Sequence, residues 1–293
     1  MVRKVARLWK AFPEILRMEE TRGLMKALMK QVGLRSLVKL PRYVTALLGL
    51  SRKGIAGLFV SLWDLFGERE AIVSGEKRFT FREYKERVFR LANGLQSLGV
   101  KPKESIAEIL NNGNEFLEMV FACSLVGCPM PFVNWHMKGD ELAATINRRS
   151  PRVVVFEGEF IDKILEIKDK LNSVEHWIVV GDKVPAGMIS YEDLIANSPT
   201  KMPKANFILA LNPYTAGTTG IPKSVNYYEG FGYLVSDVTE GPRINLGEYV
   251  KLLIKNVSFL YWYGGAEISD EISHNIRCLI PTPMYQVGIA QIL

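Results

Sequence analysis

The stretch Tyr214-Thr215-Ala216-Gly217-Thr218-Thr219-Gly220-Ile221-Pro222-Lys223 constrains this chain more than any other. It follows an apolar run, Phe207-Ile208-Leu209-Ala210-Leu211, whose length and composition predict a buried strand. Gly217 and Gly220 allow the positive φ that lets several backbone N–H groups converge on one anion. Thr215, Thr218 and Thr219 add hydroxyl donors, and Lys223 adds a point charge. Pro222 fixes its own φ and keeps the segment from running on as helix. A loop built this way suits a polyphosphate. The Walker-type pattern G-x-x-x-x-G-K-[ST] does not fit, because counting from Gly217 the second glycine falls on Pro222, which has no N–H to donate. On composition alone, a plain Gly/Thr connection between two elements stands as the alternative.

The same residues closely resemble the signature loop of the adenylate-forming (AMP-binding) superfamily, where a serine usually stands at the position of Ala216. Other stretches are most similar to its fatty-acid-transport-protein branch, the long-chain and very-long-chain acyl-CoA synthetases. These are Phe79-Thr80-Phe81-Arg82-Glu83-Tyr84, Asn134-Trp135-His136-Met137-Lys138-Gly139-Asp140-Glu141-Leu142, and Cys278-Leu279-Ile280-Pro281-Thr282-Pro283-Met284-Tyr285-Gln286. In the last, Gln286 occupies the place of a histidine usual in the family. The resemblance implies ATP-dependent activation of a fatty acid, with Mg²⁺ accompanying the nucleotide and CoA as acceptor. It assigns Tyr214, Thr215, Ala216, Gly217, Thr218, Thr219, Gly220 and Lys223 to the nucleotide, and Tyr285 and Gln286 to the substrate pocket. It assigns no catalytic residue and no protein metal ligand.

Several family features have no counterpart before Leu293: an aromatic-Gly-x-Thr-Glu motif, a ribose-binding Asp, a hinge Arg and a C-terminal domain with a catalytic Lys. The expectation is therefore the N-terminal part of a ligase, truncated or split, with a second chain supplying the rest. The alternative is a catalytically inactive nucleotide-binding or membrane-surface interaction protein derived from that family.

Charge divides the chain into an arm and a body. The formal net charge is +6, yet residues 1–54 hold 13 basic and 3 acidic side chains while the remainder is net acidic. In the arm, 1–53, Val5, Leu8, Trp9 and Phe12, then Leu24, Met25, Leu28, Met29 and Val32, recur at helical spacing among lysines and arginines. That is the pattern of a basic amphipathic helix lying in a lipid headgroup region. A helical arm packed on its own domain is the other reading, and no zinc-finger, RNP-like or helix-turn-helix signature points to nucleic acid. Neither of the apolar runs Tyr43 to Ser51 and Gly54 to Trp63, separated by Arg52-Lys53, approaches the roughly 20 residues needed to span a bilayer. Cys123, Cys128 and Cys278 form no C-x-x-C pair, and His136, His176 and His274 lack ligand spacing, so buried free thiols in a reducing compartment are expected. The predicted location is cytoplasmic, with peripheral contact at the inner membrane face.

The body, 54–293, reads as a partial adenylation domain of α/β class: a mostly parallel sheet flanked by helices, preceded by the basic helical arm. A capping box, Thr80 with Glu83, opens a helix whose apolar positions Tyr84, Val88, Leu91, Ala92, Leu95 and Leu98 share one face, and Gly99 stands at its C-terminal cap. Asn114 is placed to cap a second helix. Strands are predicted at 105–110, 129–133, 152–156 and 176–180, and helices at 139–149, 159–172 and 191–197, the last capped by Ser190 and Asp193. In such alternating folds ligands bind at the carboxyl ends of the strands, where the Thr/Gly/Lys loop falls. His136 is assigned to a structural turn. Residues 226–270, rich in aromatics, are read as a packed insertion or lid, with a fatty-acyl surface as the other possibility.

Overall fold

The computed structural model describes residues 17, 60, 63–64, 66–204, 208 and 210, and the backbone of Asn212–Thr215 and Lys223–Ser224. Apart from Arg17 these belong to one compact unit. The arm 1–53 apart from Arg17, the region 226–270, Cys278, His274, Tyr285 and Gln286 lie outside the described residues. Among the described residues no helix is long and apolar enough to cross a membrane.

The first element is one that the periodicity did not predict. Strands β1 (Glu70–Ser74) and β2 (Lys77–Thr80) pair antiparallel, with Ser74 opposite Lys77. Gly75 lies in the turn at φ +58, a conformation that costs most other residues a steric clash. Helix α1 (Phe81–Ser97) starts on the expected capping box: the Glu83 N–H donates to Thr80 Oγ1 at 3.2 Å, and the Thr80 N–H donates to Glu83 at 2.8 Å. Gly99, at φ +80, donates to the Gln96 carbonyl and Val100 to that of Leu95. These two bonds satisfy carbonyls that the helix end leaves open, and they bring Leu95 and Val100 together in the core.

Strands and helices then alternate: β3 (Ile106–Ile109), α2 (Asn114–Val126), β4 (Pro131–Phe132), α3 (Gly139–Asn147), β5 (Val153–Glu157), α4 (Ile161–Ile167), β6 (His176–Val180), β7 (Ile189–Ser190), α5 (Tyr191–Ala196), β8 (Asn212–Thr215) and β9 (Lys223–Ser224). Single 3₁₀ turns, Gly158–Phe160 and Lys168–Lys170, flank α4 and account for the longer helix expected there. The strands join one sheet in the order β7-β6-β5-β3-β4-β8-β9, parallel throughout except for the β8–β9 pair. The fold class expected from the sequence is the one observed.

Both faces of the sheet are covered, which is why β5 can read Val-Val-Val-Phe without a polar interruption. Val153 and Val155 face a core built from α1, α2 and α5, including Leu91, Leu95, Val120 and Ile195. Val154 and Phe156 face the opposite core, with Leu142 and Ile146 of α3 and Ile164 and Ile167 of α4. Each such side chain, fully buried, contributes about 1.5–3 kcal/mol over an exposed one.

Two expectations need correction. Asn114 does not cap α2: Gly113 holds the cap position, and Asn114 is the first helical residue, buried, with Nδ2 donating to Glu118 at 3.0 Å. Of the strand expected at 207–211, the two described residues, Ile208 and Ala210, are not strand residues, and the described strand is Asn212–Thr215. The Ile208 N–H donates to the Ser124 carbonyl at 3.0 Å and the Ala210 N–H to Ser124 Oγ at 3.1 Å, so these donors serve helix α2 rather than the sheet ladder. Of the two described residues of this run, Ala210 is buried and Ile208 half-buried.

Replacing Thr80 with Ala removes the reciprocal cap and is expected to cost about 1 kcal/mol, within a range of about 0.5–2. Urea unfolding midpoints of Thr80→Ala and Thr80→Ser measure it, with Ser retaining most of the stability.

Candidate nucleotide-binding site

Four of the connections that leave the carboxyl edge of the parallel sheet lie on and beside its centre: 110–113 after β3, 133–138 after β4, the 3₁₀ turn after β5, and 216–222 after β8. The helix following β3 packs in one core, whereas those following β4 and β5 pack in the other. Neighbouring connections therefore diverge to opposite faces around β3, the arrangement that opens a ligand crevice in doubly wound sheets.

Strand β8 sits beside β4, with Asn212 opposite Pro131 and Pro213 opposite Phe132. Its partner on the other side is β9, where Tyr214 faces Ser224 and Thr215 faces Lys223 across an antiparallel pair. Thus Tyr214, Thr215 and Lys223, expected in one loop, are strand residues that bracket it, and the two ends of the motif meet in register. A Walker-type loop passes from strand into helix. Here the chain returns as a strand, which agrees with the mismatch at Pro222. Ala216, Gly217, Thr218, Thr219 and Gly220 lie outside the described residues.

Ser124 fixes the approach to β8. Its hydroxyl is nearly fully buried, donates to the Val120 carbonyl at 2.7 Å and accepts from Ala210 at 3.1 Å. One helix residue thereby tethers the segment that delivers the motif.

The segment after β4 is held as tightly. Asn134 Oδ1 accepts the His136 N–H at 2.9 Å, Lys163 Nζ donates to the Trp135 carbonyl at 2.5 Å, and the Trp135 and His136 rings stack at 3.7 Å. Burial and the neighbouring Lys138 lower the Lys163 ammonium below its usual range. These contacts fit the structural role expected for His136. Helix α3 begins at Gly139 as expected. Asp140 forms an exposed ion pair with Lys170 at 2.5 Å. His176 packs its ring against the Leu98 carbonyl at 3.0 Å, and Cys123 and Cys128 are buried free thiols.

A buried charge cluster behind the sheet was not foreseen. Glu118, fully buried on α2, accepts from Arg87 Nε at 2.7 Å and Nη2 at 3.1 Å, from the Tyr191 hydroxyl at 2.7 Å and from Asn114. Arg87 also pairs with Glu192 of α5. Burial acts to lower the guanidinium pKa, but the bonds to Glu192 and Glu118 outweigh it and the net direction is up. Burial, reinforced by Glu118, holds the Tyr191 hydroxyl well above its ordinary value. The cluster ties α1, α2 and α5 together. Its members come from distant parts of the chain, so no local spacing announces it.

With this geometry in view, the sequence model of the AMP-binding enzyme family matches residues 63–286. The chain belongs to that family. A long-chain-fatty-acid–CoA ligase of Thermus thermophilus is 31% identical over 182 residues, 57% of this chain and 33% of that protein. An indoleacetate–CoA ligase of Aromatoleum aromaticum is 31% identical over 166 residues, 55% of this chain and 32% of that protein. The solved long-chain-fatty-acid–CoA ligase of Archaeoglobus fulgidus superposes with a TM-score of 0.52 at 23% identity, covering 58% of this chain and 35% of that one, a likeness of fold. The chain spans about a third of the length of these curated relatives. In this member of the AMP-binding enzyme family the described part of the Tyr214–Lys223 motif is the β8–β9 register.

Ser124→Ala deletes the tether and leaves the buried Ala210 N–H without an acceptor. The expected loss is about 1–3 kcal/mol, read as a lowered denaturation midpoint with unchanged denaturant slope.

Proposed function

We propose that this chain carries the nucleotide grip of an ATP-dependent acyl-CoA ligase acting on a fatty acid. The observation that carries the reading is the pairing of Thr215 with Lys223, which closes a hydroxyl- and glycine-rich loop at the carboxyl edge of the sheet in a chain of the AMP-binding family. The ligase names of its relatives support the activity, and the Thermus thermophilus protein supports a long acyl chain. Residues 54–293 act as part of the adenylation domain, and 1–53 as a basic arm that meets an anionic lipid surface.

In this reading the amides near Gly217 and Gly220, the hydroxyls of Thr215, Thr218 and Thr219, and the Lys223 ammonium hold the polyphosphate of ATP. Mg²⁺ arriving with the nucleotide supplies charge neutralisation. A carboxylate oxygen of the acid attacks the α-phosphorus and the bond to pyrophosphate breaks. The CoA sulfur then attacks the acyl carbon, its thiol proton is lost, and AMP leaves. Holding the pyrophosphate in line serves the first step, because preorganised donors stabilise charge as it develops on the leaving group.

Ala216 and Gln286, which replace a usual serine and histidine, favour a second reading, in which the chain binds nucleotide without turnover. Titration calorimetry with ATP decides the shared premise. Lys223→Ala is expected to weaken binding about 10-fold or more, since a charge-assisted bond is worth about 1.5–3 kcal/mol. Equal affinity in the variant rejects the loop as the nucleotide site. Fatty-acid-dependent exchange of pyrophosphate into ATP then separates the ligase from the binding-only protein.

The arm makes its own expectation. The full chain should sediment with anionic vesicles at low salt and be released near 0.5 M salt, where screening shortens the reach of surface charge to a few ångströms. Salt-independent sedimentation, or none, removes the lipid-surface role.

A further inference from the structure

Between α5 and β8 the described residues form neither helix nor strand, and the backbone there is held by side chains instead. Helix α1 supplies them from one stripe at three-residue spacing. Arg90 Nη1 donates to the carbonyls of Ala196 at 3.1 Å and Ser198 at 2.7 Å. Asn93 Nδ2 donates to those of Pro199 at 2.9 Å and Lys201 at 2.8 Å, as well as to Phe89 of its own helix. Gln96 Nε2 donates to the Lys204 carbonyl at 2.8 Å. The two sides are chemically matched. Pro199 and Pro203 bring no N–H, so this strap, 196–204, presents carbonyls to a helix face that presents donors.

The fit is steric as well as polar. A Cβ on Gly94, next to Asn93, would stand 2.7 Å from Leu194 Cγ and 2.9 Å from Ser198 Oγ, so the bare backbone is what lets α5 and the strap come this close to α1. Asn93 is 9% exposed, and its bonds are made where an unmet partner is costly. Farther along, Ser124 of α2 takes over, holding the amides of Ile208 and Ala210. Strand β8 then enters the sheet on a register of two residue pairs with β4, against five between β5 and β6. The strand that carries Thr215 is thus lightly held by the ladder and firmly held by what precedes it.

We propose that Asn93, with Arg90 and Gln96 beside it, is a positioning residue for the nucleotide motif: by holding the 196–204 strap it fixes where β8 delivers Thr215 to the carboxyl edge. The consequence for ATP rests on the nucleotide-grip reading; the anchoring of β8 does not. These donors touch no ligand and act only through the backbone they hold. A binding constellation works when its supports are locked. With the strap loosened, β8 spreads over several positions, and the contacts to a polyphosphate are complete in only a fraction of them. Apparent affinity falls by that fraction although no residue of the motif has changed.

The test uses the full chain. Asn93→Asp keeps the side-chain shape and puts oxygen where the Pro199 and Lys201 carbonyls need a donor. Gly94→Ala adds the Cβ that displaces the strap while improving the helix propensity of α1. Gln96→Ala removes one outer bond and serves if the other two do not fold, with a smaller change in the same direction. Hydrogen exchange at the Ile208, Ala210 and Tyr214 amides should quicken by about tenfold or more in Asn93→Asp and Gly94→Ala, beyond any change at β5 and β6. The ATP dissociation constant from calorimetry, at a temperature where each variant is folded, should rise about tenfold. Equal quickening of the β5, β6 and β8 amides, the mark of general destabilisation, overturns the positioning role. Wild-type ATP affinity in a variant whose β8 has loosened overturns it too. A wild-type chain that binds no ATP sinks the nucleotide grip alone, and the exchange pattern then decides the anchoring of β8.

Discussion

Enclosure of a parallel sheet on both faces governs this molecule. Strands β3, β5 and β6 are buried on each side, and their backbone donors and acceptors are spent on neighbouring strands. Polar chemistry is therefore left to the edges where connections turn, and in doubly wound sheets the carboxyl edge is the one that receives ligands. The β8–β9 hairpin and the connections after β3, β4 and β5 all open there. The ends of the Tyr214–Lys223 motif stand at that edge, outside the enclosed faces.

The interior exceptions are instructive because they are handled in opposite ways. Glu118 is buried with a guanidinium, a phenol and an amide around it, and joins three helices that the sheet alone would not hold in register. Removing one member of such a group leaves an uncompensated charge, the circumstance in which buried ion pairs become costly. Glu108 of β3 is buried just as deeply, and neither of its side-chain oxygens has a hydrogen-bond partner. The same side chain is a structural fastener on the helix and a source of tension in the strand.

Much of this was legible beforehand. The capping box at Thr80 and Glu83, the apolar face of α1, the β-branched run of β5 and the Ser190 cap all express local rules, and local rules survive folding. The Tyr214–Lys223 stretch was legible as a motif, and the family it resembles is the one whose model matches residues 63–286. What could not be read depends on partners far along the chain. The Phe207–Leu211 run has the composition of a strand, but Ser124, on a helix many residues earlier, captures its amides first. Asn114 has the identity of a cap, yet Glu118 claims its side chain. The hairpin at 70–80 is short and charged, so period-two alternation is too weak there to be distinctive.

The return of the chain as strand β9 has a further bearing on how anions are held. A glycine loop that runs into a helix borrows the positive end of that helix's aligned peptide dipoles. A loop that runs into an antiparallel strand has no such reservoir behind it, because strand dipoles largely cancel. In the proposed reading, attraction for a phosphate tail comes from the loop's own amides and cationic groups acting at short range. Such a grip discriminates by shape at contact, and gathers little of its ligand from afar.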